Sequence, residues 1–303
     1  MLQHTFLHLK GISHKAEQAL WKKGILTWED YRNQQNSLLA LCNDSEHEDI
    51  LTPSLHALRT HDIGYFAEHL PKHDWSRIAA TFPEDVLFLD IETTGLSPYY
   101  DTITLIGWSR GTTYGLFCSD GDPREFLSAI SSAKILVTFN GTLFDCKFIR
   151  LRFPDVVFPD LHIDLRFLCR RVGLTGGQKA IEETIGFARK ADSKGLQGEN
   201  APILWHEYKR GDLEALRRLI GYNHDDVEGM KAIFDVCIQT CCKKEGIPRR
   251  LWPKKRLFTN LKAPLVFQDA SLKTPHAVPL SPYTGDTGPR AHYQYLTERV
   301  SMA

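Results

Sequence analysis

No run of about 18 apolar residues occurs anywhere in the sequence, which excludes a membrane-crossing helix on the usual length criterion. The start, Met1-Leu2-Gln3-His4-Thr5, lacks a charged segment leading into an apolar run and a small-residue cleavage site, so no secretory leader is expected. Neither sign of charge is in surplus, since Lys plus Arg and Asp plus Glu each number 37. That balance excludes a chain coated in basic charge, and any polyanion must be met by local basic patches. The seven cysteines are an odd number without framework spacing. Reduced thiols in a cytoplasmic compartment are therefore expected. No fixed-period repeat is present.

What is present falls into three regions. Residues 1 to 75 read as helical, residues 84 to 242 as an α/β domain, and residues 243 to 303 as a basic stretch followed by a Pro-rich tail. Val86-Leu87-Phe88-Leu89-Asp90-Ile91-Glu92 is a short apolar run ending in carboxylates, bounded by Pro83 and Gly95, and reads as a buried strand. Ile103 to Trp108 and Tyr114 to Phe117 make two more strands in a meander around Gly111. Pro123 to Ile130 reads as a helix, Ile135 to Phe139 as a strand and Phe144 to Leu151 as a helix. The sum is a mixed sheet flanked by helices. Further on, Gln178 to Ile185, Asp212 to Ile220 and Asn223 to Cys242 read as three helices, with a loop around Gly195 and Gly198.

Asp90 and Glu92 are two apart on a strand, so they share a face. Like charges so placed repel unless a cation lies between them, and Mg2+ favours such oxygens. A solvated strand end is the plainer alternative. Thr93, Thr94 and Gly95 follow, either a turn or a place for a ligand to approach backbone. Asn140 and Asp145 sit at a strand-to-helix junction, where ligands meet open α/β sheets. Helix capping by Asn140 and complementing the helix dipole by Asp145 are their structural alternatives. In Tyr222-Asn223-His224-Asp225-Asp226, steps of three and four from Asp226 reach Met230, Ile233 and Cys237, an apolar stripe. From Asp225 they reach Glu228, Ala232, Asp235 and Gln239. Asp226 is thus expected to face the core and Asp225 water. His224 is expected at the surface. Tyr222 shares the face of Asp226.

Asp90-Ile91-Glu92, Asn140-x4-Asp145 and Tyr222-x3-Asp226, in that order, resemble the three exonuclease motifs of the DEDD superfamily in its tyrosine-bearing branch. The histidine-bearing branch would place His at position 221, which is Gly here. Gly176-Gly177-Gln178-Lys179-Ala180-Ile181-Glu182 and Tyr222-Asn223-x-x-Asp226-Val227 are similar to blocks of the YprB-type ribonuclease-H-like domain. The resemblance implies a ribonuclease-H-like fold and a metal-dependent 3′–5′ exonuclease acting on a single-stranded 3′ end of DNA or RNA. It implies two ions, Mg2+ or Mn2+, with Asp90 bridging them, Glu92 and Asp226 on the first and Asp145 supporting the second. Tyr222 would orient the attacking water, and Thr93, Thr94, Gly95, Asn140, Phe144 and Lys179 would contact nucleic acid. A structure-specific endonuclease and a non-catalytic nucleic-acid-binding module are the alternatives.

The flanks add weaker signals. Phe6 to Lys15 leads into a helix ending near Gly24, and Thr27-Trp28-Glu29-Asp30 is a capping-box start. This resembles half of a helix-hairpin-helix, in which Gly11 and Lys15 would meet phosphate, although Ser13 stands where a glycine is usual. Lys243, Lys244, Arg249, Arg250, Lys254, Lys255 and Arg256, with Trp252 and Phe258 beside them, suit single-stranded nucleic acid or a solvated linker. Asp164 reads as a supporting or capping residue. Cys237, Cys241 and Cys242 read as core or reduced surface thiols, not a zinc site.

Overall fold

Eight residues form the central strand β1, Val86–Thr93, and all but one are buried, so both of its faces are covered. The computed structural model describes residues 1–34, 51–189, 198–254 and 256–259. Residues Met1–Gln268 make one compact unit, and the Asp269–Ala303 tail lies outside the described residues. So do Gly195 and Lys255.

Four further strands complete one sheet: β2 (Ile103–Arg110), β3 (Thr113–Cys118), β4 (Ile135–Thr138) and β5 (Leu161–Asp164), in the order β3-β2-β1-β4-β5. The first three form the expected antiparallel meander, while β4 and β5 run parallel to β1. The ribonuclease-H-like mixed sheet is thus as expected. β5 was not read from the sequence: it is four residues long and interrupted by a histidine.

Alternation along β1 sorts its side chains between two cores. Leu87, Leu89 and Ile91 pack with Phe126 and Ile130 of α6 (Arg124–Ser132) and with Cys146, Phe148 and Ile149 of α7 (Asp145–Arg152). Val86 and Phe88 face the other layer. That layer holds α8 (Leu165–Val172), α9 (Gln178–Thr184) and the long α11 (Leu213–Lys244). It also takes in the N-terminal helices: α1 (His14–Lys22), α2 (28–34), α3 (Thr52–Thr60), α4 (Ile63–His69) and α5 (Ser76–Ala79). Since Asp90 and Glu92 share the face of Phe88, they lie under α11.

The sequence predicted two helices where α11 runs unbroken for 32 residues. Gly221 reads as a stop, but a single helical glycine costs only about 1 kcal/mol, less than the burial on either side of it supplies. Contacts of α11 with α8, α9, the sheet and α10 (Ala201–Lys209) leave little of it in water. Asp225 and His224 are consequently buried, at 2% and 6% exposure, against the expectation for both. The His224 ring meets Tyr114 edge-on at 4.9 Å. Phe258 is likewise a core residue stacked on Phe234, and Trp252 is held by its indole N–H to the Ile247 carbonyl. Phe258 is therefore not free to stack on a base, whereas Trp252 is only half-buried. Among the described cysteines, Cys237, Cys241 and Cys242 are buried thiols.

Candidate active site

Three carboxylates from two elements converge at the C-terminal end of β1. Asp90 and Glu92 come from the strand and Asp226 from α11, and one oxygen of each lies within 4.8 Å of the others. Asn223, one helical turn before Asp226, ties the pair on β1 to α11. Its Nδ2 donates to Asp90 Oδ2 at 2.8 Å and to Glu92 Oε1 at 3.4 Å, while its Oδ1 accepts from Tyr114 at 2.8 Å. This bridge needs Gly107, which pairs with Asp90 across the β1–β2 ladder. A Cβ there would stand 1.7 Å from Asn223 Oδ1 and 2.6 Å from the Tyr114 hydroxyl.

Asp145 reaches the same strand end from the opposite layer. β4 pairs with β1 only as far as Phe88, so the Ile91 N–H has no strand partner on that side. Asp145 Oδ1 accepts it at 3.1 Å. Asp145 is therefore beside the three converging carboxylates and not among them.

Burial raises the pKa of all four acids, and mutual repulsion adds to it. Asp90 is pushed well up by burial, then by Asp226, Glu92 and Asp145, and Glu92 by burial and Asp226. Asp145 rises to about 7, chiefly through burial, with backbone hydrogen bonds opposing. Asp226 rises only to about 6, because Arg189 opposes its burial. The Arg189 guanidinium lies against Asp226 and is fixed by Glu182 at 2.7 and 2.9 Å. Gln178 completes the group, donating to the Asp226 carbonyl at 2.7 Å and to Glu182 at 2.8 Å.

Above the carboxylates is a cleft of about 350 Å³ lined by Asp90, Asp226, Tyr222, Lys179, Gly177 and Gly198. Lys179 sits over the Tyr222 ring, 4.6 Å from its centre. Burial and then the nearby carboxylates raise the Tyr222 pKa, so its hydroxyl keeps its proton. The arrangement is a neutral-to-basic rim over a floor of carboxyl groups.

The other predicted contact residues are placed as follows. Thr93 and Thr94 hydrogen-bond within their own turn, to the Gly95 carbonyl and to Asp101, and Gly95 lies against the Asp101 carboxylate. Asn140 takes a left-handed backbone, φ 65°, held by its N–H to Asp164 at 2.8 Å. Asp164 also accepts from Thr142 N and Arg166 N, the capping role expected of it. Phe144 is half-buried against Phe148. Gly11 and Lys15 are exposed at the turn into α1, far in sequence from the carboxylates. Ser13 caps α1, and Thr27 and Asp30 form the predicted reciprocal cap of α2.

Asn223, Gly107, Tyr114, Arg189 and Glu182 had no assigned role in the sequence. Asn223 and Glu182 were the two with a signal, since both stand in the blocks similar to the YprB-type domain.

A family model described as the RNase_H superfamily matches residues 87–238, half of the chain. No curated protein sequence matches it. Among solved structures, Escherichia coli RNase D, an exoribonuclease involved in structured RNA processing, is 18% identical with a TM-score of 0.29. That match covers 58% of this chain and 49% of RNase D. The Aedes aegypti Nibbler EXO domain is 11% identical with a TM-score of 0.36, over 58% of this chain and 85% of the domain. The family B DNA polymerase of the archaeon Pyrobaculum calidifontis is 16% identical with a TM-score of 0.40, over 52% of this chain but only 24% of the polymerase. All three scores are below 0.5, so none bears on function. No described helix is long and apolar enough to cross a membrane.

Proposed function

This chain belongs to the RNase_H superfamily, and from that premise we propose that it is a metal-dependent nuclease, a 3′–5′ exonuclease of the tyrosine-bearing, YprB-like kind acting on DNA or RNA. The observation that carries the reading is the convergence of Asp90, Glu92 and Asp226 beneath an open cleft. Three carboxylates, Glu92 and Asp226 buried and Asp90 half-buried, all with raised pKa values, are costly to ionise together unless a cation joins them. The donor set is all oxygen, which suits Mg2+ or Mn2+. Asp90, Glu92 and Asp226 would hold one ion, and Asp90 with Asp145 would support a second. Bound ions of this kind lower the pKa of water and offset charge on a phosphodiester.

The chain's own groups do the remaining work. Tyr222, protonated through the working pH range, is a hydroxyl donor that orients water or a phosphate oxygen and not a base. Lys179 lines the cleft and supplies positive charge toward a phosphate, as does Arg189 beside Asp226. Asn223 keeps Asp90 and Glu92 in one orientation.

End-labelled DNA and RNA strands, incubated with Mg2+, Mn2+ or chelator, test the proposal against an Asp90→Ala control. The expected result is ion-dependent loss of nucleotides from the 3′ end, absent in the control. Circular substrates should resist. Cleavage of circles would replace the exonuclease reading by an endonuclease one. Inert wild-type protein that binds no divalent ion would remove the enzyme reading.

A further inference from the structure

A second group of metal-ligating side chains lies in the N-terminal layer, on elements that contribute nothing to the carboxylate site. His14 opens α1, and His73 and Asp74 lie in the short turn Lys72–Asp74 that leads into α5. The Nε2 atoms of His14 and His73 stand 3.1 and 3.3 Å from Asp74 Oδ2. Their rings are stacked, 5.5 Å between centres and 20° from parallel. We propose that these three residues form a binding site for a single transition-metal ion of the Zn2+ class, which pins α1 to the segment before α5.

Three observations carry this. The first is an unmet bonding capacity. Asp74 is 1% exposed, and among the described residues neither of its oxygens accepts a hydrogen bond. His14 Nε2, 3.1 Å away, has no hydrogen-bond partner there either. A buried carboxylate left in that condition is costly and calls for an ion or water.

The second is charge. Arg77 and Arg171 each approach Asp74, at 3.7 Å, but both are engaged elsewhere. Arg77 pairs with Glu17 at 2.9 Å and with Glu245 at 2.8 Å, and Arg171 pairs with Glu245 at 2.7 Å. Three carboxylates thus face two guanidinium groups, and one negative charge is left over on Asp74. Two neutral imidazoles and that carboxylate make a donor set suited to a divalent ion.

The third is spacing. Bonds of about 2.0–2.1 Å to a tetrahedral Zn2+ set its ligand atoms about 3.3 Å apart. The nitrogen-to-oxygen separations here match that edge length. Both histidines are partly exposed, His73 at 54% of its side chain, so the fourth position opens to solvent. Nitrogen ligands separate this site from the all-oxygen one beneath α11, which favours harder ions.

The test uses the full, tag-free chain, stripped with chelator and titrated with Co2+ as a spectroscopic substitute for Zn2+. Wild-type protein should take up one equivalent with the intense visible bands of tetrahedral cobalt. The bands should persist in Asp90→Ala/Asp226→Ala, which removes ligands of the other site. His73→Ala, an exposed substitution that leaves the core intact, should abolish them or weaken binding by more than the roughly 10–100-fold that loss of a supporting residue costs. In the Asp90→Ala/Asp226→Ala background Zn2+ should raise the thermal midpoint, and adding His73→Ala should remove that rise. Bands absent from wild type, or unchanged in His73→Ala, would overturn the assignment whatever the outcome of the nuclease assays, and would leave a protonated histidine paired with Asp74 as the account of the cluster.

Discussion

Replacing Asp145 by Asn should stabilise the ion-free protein at pH 8 while abolishing hydrolysis. The substitution keeps an acceptor oxygen for the Ile91 N–H, turns the other oxygen into an NH2 donor and removes the ionisable site. The Asp145 carboxyl has its pKa raised from 3.8 to about 7, first by burial. A raised carboxyl pKa means the folded chain holds its proton more tightly than the unfolded chain. Folding stability therefore falls as pH rises from about 4 to about 7 and is flat above. A rise from 3.8 to about 7 corresponds to roughly 4 kcal/mol at pH 8. That is a ceiling, because the neighbouring carboxyls share the same protons. In the thermal midpoint it amounts to about 10 °C at most. Urea or thermal unfolding in chelator, followed from pH 4 to 8, reads the effect. The advantage of Asp145→Asn should be absent at pH 4, grow through pH 5–7 and be complete by pH 8. Mg2+ or Mn2+ should narrow it by stabilising wild type more than the variant. An advantage that is constant with pH, or no advantage at pH 8, would refute the claim that ionising this buried carboxyl opposes folding.

Three further outcomes are expected. Gly107→Ala should displace Asn223 and cost about 1–3 kcal/mol in denaturant unfolding, and adding Asn223→Ala to the same chain should recover most of it. Tyr222→Phe keeps the ring under Lys179 but removes the hydroxyl, so kcat should fall by about a hundredfold with ion affinity unchanged and no shift in the pH–rate profile. Arg77→Met strands Glu17 as a buried charge, while Glu245 keeps Arg171, and should cost about 3–5 kcal/mol in urea unfolding.

The parts of this molecule that depend on local geometry were legible in the sequence. Period-two alternation places Asp90 and Glu92 on one face of β1 whatever surrounds them. The apolar stripe through Met230 and Ile233 turns Asp226 toward the same side. Environment was not legible. Asp225 looked solvent-facing because its own helix is polar at those steps, yet neighbouring elements on several sides enclose α11. Gly107 carries no motif, since its role is to leave room for a side chain from a distant helix. Arg189 stands in a basic, unpatterned segment, and nothing in its neighbourhood announces that it will reach Asp226. The basic stretch with its aromatics misled in one respect: Phe258 is spent on the core.

The single unbroken α11 has a consequence for how this sequence can change. It carries Asn223 and Asp226 in its first half, and Glu245 at its end is the residue that holds Arg77 and Arg171. Asp226 and Glu245 are about 28 Å apart along its axis. One residue inserted or deleted between them would turn everything downstream by about 100° and carry Glu245 away from both arginines. The length of that stretch is therefore fixed from both ends. Variation in the size of relatives should be taken up in the loops and never in the shaft that joins the cleft to the N-terminal layer.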